Sequence, residues 1–494
     1  MKFYNSLSRK KEEFVPVNKD LVRIYSCGPT VYDYQHIGNL RTATLMDVIK
    51  RSLKYFGYNV LTVMNVTDIE DKIENRARDL KLKVDEITTK YEAIYMDNLS
   101  ALNIFADFYP HASGHIKEQI EIIQELEKKG YVYLTALGLY FDTSKDIDYG
   151  KLGNTYKSDK ASSRIDDKEG KRNPEDFVLW RLPKENEERQ KVWDSPWGVG
   201  YPGWHIECTA MSLKTLTKAF SSGRFDSSQF ETIDIHLGGA DLREVHHENE
   251  IAQSEGFSEK PFVRYWIHNG FININAEKMS KSLGNFFTIH ELLKRYHPEA
   301  LRLLILAAHY RSPLDYTEKI MEATQASLDR WYATLARVST QCQASSKSKD
   351  HPPKDLVNKV ESLVSAFEEA MDDDFNTAKV VGLLFDLVRE WNKYLDGTTE
   401  ISGKTCQTFL KAAQTIHGVL GLFGSDPQVY LNQVKALKMV KVTLSDEEIQ
   451  EKINQRNSAR QTKNWALADA IRNELASLGI TLKDNPDGTT GWNI

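Results

Sequence analysis

Residues 21–72, LVRIYSCGPTVYDYQHIGNLRTATLMDVIKRSLKYFGYNVLTVMNVTDIEDK, decide the fold. Residues 21–26 read as a short buried strand. Across 40–56 the apolar positions Leu40, Ala43, Leu45, Met46, Val48, Ile49, Leu53 and Phe56 recur at helical spacing, and Gly57 stops the helix. Residues 59–66 read as the next strand. Strand, helix, strand implies a right-handed crossover and a parallel sheet. The loop before the helix holds Gly28, Pro29, His36 and Gly38, and ligands bind at that end of a parallel sheet, near helix N-termini. Neither a G-x-G-x-x-G nor a Walker A motif is present, so this is not the dinucleotide or P-loop version.

The chain of 494 residues suggests several domains, and 41% hydrophobic residues are enough for substantial cores. The N-terminus, MKFYNSLSRKKEEF, has basic residues with no apolar run behind them, unlike a signal peptide. No stretch approaches the roughly 18 apolar residues of a membrane span. The expectation is a cytoplasmic protein with no membrane partner. A net charge of -6 argues against nonspecific coating of nucleic acid, while leaving room for a local basic groove. The four cysteines, Cys27, Cys208, Cys342 and Cys406, are too few and scattered for a disulfide scaffold.

Working outward, residues 84–130 are mainly helical. A polar stretch to about residue 200 holds short strands such as YVYL and GLYFD and reads as an insertion. The sheet pattern resumes at IDIHLGG and VRYWIHNGFININ, and after Tyr316 long amphipathic helices form a bundle. In the last segment, Trp465, Ala468, Ile471, Leu475 and Leu478 make one helical stripe, read as a core face. The expected fold is α/β. Its Rossmann-like parallel-sheet domain (1–120 and 201–316) is split by a connective insertion (121–200). A helical bundle (317–424) and a small C-terminal domain (425–494) follow.

The stretch REVHHENEIAQ, residues 243–253, suggests a metal site. His246 and Glu250, four apart, share one face of a helix. The hydrolase motif H-E-x-x-H needs histidine at 251, where the chain has Ile251. Two ligands do not close a site that prefers four. Cys27 and Cys208 lie on segments that the topology brings toward the same sheet end, and such a mixed donor set suits zinc. The plainer alternatives are cysteines packed as small hydrophobes and a solvated helix face.

Two further motifs are HIGN, residues 36–39, and EKMSKSLGN, residues 277–285. Together they resemble the signature pair of class I aminoacyl-tRNA synthetases. Within that class the chain is similar to the cysteinyl-tRNA synthetases, through CGPTVYDYQHIGN, NVTDIEDKI, KRNPEDFVLW, PGWHIECTAMS, DIHLGGADL, HHENEIAQSE, KMSKSLGNFF, HYRSPLDY, MDDDFNTA and ARQTKNWALADAIRNEL. These run in order along essentially the whole chain.

The resemblance implies a two-step reaction. L-Cysteine and ATP, with Mg2+, give cysteinyl-adenylate and pyrophosphate, and the cysteinyl group then moves to the 3′ end of tRNA(Cys). It implies ATP contacts from His36, Gly38 and Asn39, with Asn39 where histidine is commoner. Lys281 would hold the leaving pyrophosphate, and Lys278 would assist. One zinc ion per chain would sit on Cys27, Cys208, His246 and Glu250 and recognise the substrate thiol. His247 and Glu248 fall to outer or surface roles. Thr67, Trp204 and His236 would line the amino-acid pocket, although SSGRFDSSQFET, residues 221–232, is an extra loop just before His236. The acids of MDDDFNTA read as caps and internal pairs. Arg456, Arg460, Lys463 and Trp492 are the candidate tRNA contacts of an anticodon-reading unit, whose tail GWNI lacks the basic residues common in the family. The resemblance also implies a monomer.

Three other readings compete. A ligase joining activated cysteine to an amino-sugar would lack the segment after 425. A zinc hydrolase would need a metal-bound water and a base. A non-catalytic RNA-binding module would need neither HIGN nor KMSKS.

Overall fold

The computed structural model describes residues 1–154, 170–184, 187–275, 277–278, 286–344, 354–397, 402–439, 445–478, 480–484 and 489–493. The chain opens with an antiparallel hairpin, β1 (Lys2–Asn5) and β2 (Lys10–Glu13). Then come β3 (Val22–Ser26), α1 (Ile37–Tyr55) and β4 (Val60–Met64), the crossover expected from residues 21–72. β3 pairs in parallel with β4, Val22 opposite Val60. α1 buries Leu40, Met46, Ile49 and Leu53 in the main core. Each such side chain stabilises the fold by about 1.5–3 kcal/mol, so a charge at Ile49 would break this layer.

Helices α2 (Asp71–Leu80), α3 (Val84–Ala101) and α4 (Ile116–Lys128) follow. The insertion is an antiparallel sheet of β5 (Val132–Thr135), β6 (Gly138–Phe141), β7 (Phe177–Arg181) and β8 (Tyr201–Pro202), paired in that order. It leads into α5 (Trp204–Leu216), β9 (Ile233–Gly239), α6 (Glu248–Ser258) and β10 (Val263–Asn269). The parallel sheet has the order β10-β9-β3-β4, which places β3 and β9 inside. Both are buried along almost their whole length, as strands covered by helices on both faces must be.

A smaller sheet, β12-β11-β13, joins β11 (Ile272–Ile274), β12 (Glu277–Lys278) and β13 (Leu314–Tyr316), with α7 (Ile289–Leu293) and α8 (Pro298–Leu306) between the last two strands. The bundle is α9 (Glu318–Ala344), α10 (Lys354–Asp372), α11 (Thr377–Asp396) and α12 (Gly403–Leu420), followed by α13 (Pro427–Met439). The acids of MDDDFNTA are internal pairs. Asp372 meets the N-terminal amine of Met1 at 2.8 Å, Asp373 meets Lys11 at 2.6 Å, and buried Asp374 accepts from Tyr4 N, the Tyr310 hydroxyl and Arg311 Nε. They fasten the hairpin and the 309–312 turn to the bundle.

Cys406 in α12 is disulfide-bonded, a pairing the scattered cysteines do not announce. Among the described residues no helix is long and apolar enough to cross a membrane.

The C-terminal unit packs α14 (Asp446–Gln461) on α15 (Trp465–Ser477), with the β14 (Thr481–Asp484) and β15 (Thr490–Asn493) hairpin beside them. Ile449, Ile453, Ile471, Leu475 and Ile480 form its core. The expected stripe holds for Ala468, Ile471 and Leu475, but Trp465 is 58% exposed. As the first residue of α15, next to the left-handed turn at Lys463 and the Asn464 cap, it lies outside that core.

Candidate active site and metal centre

Cys27 follows the last residue of β3, and its amide donates to Leu237 O of β9 at 3.1 Å. Gly28 comes next because nothing larger fits. A Cβ there would lie 1.7 Å from Asn65 O, at the end of β4. The Gly28 amide instead donates to Asn65 Oδ1 at 2.8 Å. Cys208 arrives from the other side, inside α5 and buried.

The third segment departs from a plain α-helix. Residues Arg243–His247 form a π-helical turn, with His247 N bonded to Leu242 O, before α6 begins at Glu248. Such turns carry an extra residue per turn and recur at functional sites. Here the turn points both His246 and His247 inward, so of the outer or surface roles expected of His247 and Glu248 the surface one is corrected: both are buried. His247 is fully buried, with Nε2 3.4 Å from Cys27 Sγ. Its Nδ1 pairs with His268 Nε2 at 2.8 Å, and His268 Nδ1 with Ser6 Oγ at 2.8 Å. Buried Glu248 accepts from the amides of Gly150, Leu152 and Gly153, tying α6 to the insertion. No residue type in the sequence marks a π turn.

Donor atoms of Cys27, Cys208, His246 and Glu250 all lie within 4.8 Å of one another, the set expected from the sequence. Cys27, His236, His247 and Glu250 form a second, overlapping set. His246 Nε2 is 3.4 Å from Cys208 Sγ and 3.1 Å from Glu250 Oε1. Glu250 Oε2 lies 3.1 Å from His236 Nε2. His246 Nδ1 meets His205 Nδ1 at 2.9 Å, an outer contact of the kind that orients a metal-binding imidazole.

The electrostatics favour a cation. Burial, then Cys208 and Glu250, pushes the Cys27 thiol well up. Burial raises Glu250, opposed by His236, and holds His246 and His247 well below the usual imidazole range. Burial also lowers His205 to about 3. Each is thereby pushed toward its neutral form. Glu250 Oε1 is buried and makes no hydrogen bond despite its nearness to His246. A divalent ion among these atoms would satisfy that oxygen and favour the thiolate, carboxylate and neutral imidazole forms together. The donor set therefore fits a metal ion.

The amino-acid pocket candidates gather here too. His236 lies in β9, stacked on Trp266 with centroids 4.6 Å apart, so the 221–232 loop does not displace it. Trp204 stands over the His246 ring at 4.2 Å and is 39% exposed. Thr67 Oγ1 accepts from Asn65 Nδ2 at 3.1 Å, and its backbone pairs with Pro29 and Val31 beside Gly28.

At the opening of α1, HIGN is a reciprocal cap. His36 Nδ1 accepts from Asn39 N at 3.3 Å, and Asn39 Oδ1 accepts from His36 N at 3.2 Å. No acid lies in the first turn, so the positive end of the helix is left uncompensated and open to phosphate. The α1 start is joined to the segment after 285. Ile37 N donates to Phe287 O at 3.3 Å, and Ile289 N to Gln35 O at 2.9 Å. Lys278 ends β12, its side chain outside the described part of the chain; Lys281 lies outside the described residues altogether.

In the C-terminal unit the expected tRNA contacts divide. Arg456 is buried and donates with both terminal nitrogens to Asp484 at 2.9 Å, so it is withdrawn as an RNA contact. Trp492 packs on the unit's core, with Lys435 Nζ 4.5 Å from its ring centroid, and is likewise taken up internally. Arg460 shares Asp484 but is exposed, and Lys463 occupies the turn before α15. Trp465, on the apolar stripe of the sequence, stands exposed beside Lys463 and the Asn464 cap at the helix start.

A parallel sheet with HIGN capping its first helix, and a donor cluster at the same sheet end, defines a class I aminoacyl-tRNA synthetase. Comparisons agree. The model for the tRNA synthetases class I (C) catalytic domain matches residues 13–326, a DALR domain 366–424, and the cysteinyl-tRNA ligase anticodon binding domain 446–490. The chain is 44% identical to a cysteine–tRNA ligase of Thermodesulfovibrio yellowstonii, covering 100% of this chain and 99% of that one. It is also 44% identical to one of Thermococcus gammatolerans, covering 99% and 98%. Its fold is similar to Mycobacterium tuberculosis methionyl-tRNA synthetase in complex with methionyl-adenylate, at TM-score 0.59 and 14% identity over 81% of this chain and 92% of that chain. The chain belongs to the cysteine–tRNA ligase family.

Proposed function

We propose that the protein activates L-cysteine with ATP and transfers it to the 3′ end of tRNA(Cys). The observation that carries the cysteine assignment is the Cys27–Cys208–His246–Glu250 cluster beside Trp204 and His236. A bound zinc ion would supply a soft acceptor for the substrate sulfur, which a serine hydroxyl satisfies poorly. That matters because a pocket measuring size alone separates near-isosteres by only about a hundredfold. Among the two overlapping sets we assign the metal to the one with both cysteines, which presents two thiols to a soft ion. His205 would hold the His246 ring through its 2.9 Å contact, and His247 would steady Cys27.

Activation needs positioning and charge neutralisation more than covalent help. His36, Gly38 and Asn39 at the α1 start are proposed to meet the ATP phosphates, with Lys281 and then Lys278 on the leaving pyrophosphate and Mg2+ accompanying the nucleotide. Thr67, Trp204 and His236 would line the amino-acid pocket. Arg460, Lys463 and the exposed Trp465 are the proposed RNA-facing groups of the C-terminal unit, with the indole as a stacking surface. The domain division 1–120, 121–200, 201–316, 317–424 and 425–494, a monomeric state and a cytoplasmic location belong to the same proposal. The test is charging of a tRNA(Cys) transcript with radiolabelled cysteine, repeated with the anticodon altered. Charging that falls with the altered anticodon supports the reading. Indifference to the anticodon would count against the assignment of the C-terminal unit.

A further inference from the structure

Arg41 lies one turn into α1, just past HIGN, and is 1% exposed. Among the described residues its guanidinium meets no carboxylate. Nη1 donates to Gly270 O and Phe271 O, both at 2.9 Å; Nη2 donates to His309 O at 3.1 Å and Ser312 O at 2.6 Å. These carbonyls belong to two strand-entry turns that run together, the one before β11 and the one before β13. The turns touch so closely that a Cβ on Gly270 would lie 2.7 Å from Ser312 O and 2.8 Å from Arg311 O. Next to Arg41, Thr42 Oγ1 donates to Asn269 Oδ1 at 2.8 Å, gripping the end of β10. Burial without an acidic partner lowers the Arg41 guanidinium to about 10, a cost that a residue filling space alone need not carry.

What hangs from this crossing is specific. β11 pairs with β13 on one edge and on the other with β12, which runs to Lys278. We propose that Arg41 is a positioning residue for ATP use: it fixes the β11–β12 pair at a set distance from the HIGN helix, so that groups from the two segments act on one nucleotide. This rests on the functional reading above. A planar guanidinium with several fixed donors spans four carbonyls, whereas a lysine ammonium has three donors at one point and leaves part of the crossing unbound.

A second buried arginine supplies the comparison. Arg302 in α8 is equally buried and also grips α1, through Asp47, along with Leu420 O at 2.6 Å and Leu102 O at 3.1 Å. It lies on the helix side facing the bundle and touches neither strand-entry turn.

The experiment is ATP–pyrophosphate exchange by the full-length protein, the Arg41→Lys variant and the Arg302→Lys variant, with thermal unfolding and metal content measured alongside. For Arg41→Lys, misplacement by a fraction of an ångström predicts about a tenfold or greater change in KM for ATP or in kcat, with KM for cysteine within about twofold and metal retained. Arg302→Lys is expected to lower Tm while leaving both KM values within about twofold. ATP parameters unchanged in Arg41→Lys, an equal shift in Arg302→Lys, or an equal rise in KM for cysteine would each overturn the proposal. Should Arg41→Lys fail to fold, Thr42→Val takes its place: a smaller shift confined to ATP supports the proposal, and no shift contradicts it. Absence of exchange by the unsubstituted protein would overturn the functional reading, and this inference with it.

Discussion

Glu250, at the sheet end, is fully buried, yet one of its oxygens accepts no hydrogen bond, and its neighbours are two cysteines and a row of histidines, of which burial holds His246 and His247 well below the usual imidazole range. Asp484, in the C-terminal unit, accepts from Arg456, Arg460 and Thr490, and those partners hold its carboxyl far below the usual range. The first region carries the cost of desolvated donors that the protein alone does not satisfy. The second satisfies its charges internally. The difference separates groups arranged for something from outside the chain from groups arranged for folding. It also explains why Arg456, promising as a cation in an RNA-binding unit, is spent on the hairpin, while Trp465 stays free on the surface.

The comparison breaks most visibly at Cys208. Cys208→Ser should remove most of the bound metal, read by elemental analysis. It should also weaken cysteine use by more than about a hundredfold, with KM for ATP little changed. Unaltered metal content would take Cys208 out of the centre. In the other region, Trp465→Ala should raise KM for tRNA by about five- to a hundredfold, the worth of a stacked base, and leave ATP–pyrophosphate exchange intact. No change in tRNA kinetics would return that side chain to an ordinary exposed apolar residue.

Asp484→Asn carries the smallest effect. About 1 kcal/mol of stability in the C-terminal unit should be lost, since Asp484 is partly exposed and screened by solvent. Its pH dependence has a definite sign. The carboxyl is depressed in the folded unit by its arginine partners. Its stabilisation is therefore present above the unfolded carboxylate pKa of about 3.9 and disappears as pH falls through the lower folded value. Thermal unfolding at pH 7 and below pH 4 measures this: the gap between wild type and Asp484→Asn should close at the acid end. A gap that widens there would contradict the pairing.

Much of this was legible in the chain because it rests on local rules. The period of Leu40 to Leu53 and the strands on either side gave the crossover, and the positions of Cys27, Cys208, His246 and Glu250 followed from that topology together with the family resemblance. What stayed hidden depended on geometry that periodicity does not encode. The π turn at Arg243–His247 buries His247, for which an outer or surface role was expected. The exposure of Trp465 depends on where α15 starts, and helical spacing is blind to that boundary. The fate of Arg456 depended on a hairpin some thirty residues away bringing Asp484 alongside. Arg41 drew no notice, since an arginine bound wholly to carbonyls has no partner that a pattern of side chains reveals.

The central claim is that the sheet-end cluster holds a metal that selects a thiol. Its most direct measurement is the ratio of cysteine- to serine-dependent ATP–pyrophosphate exchange by the metal-loaded protein. Discrimination well beyond the roughly hundredfold that a pocket measuring size alone provides is the expected result. Equal exchange with serine, or a ratio that stays the same after the metal is stripped by a chelator, would contradict it.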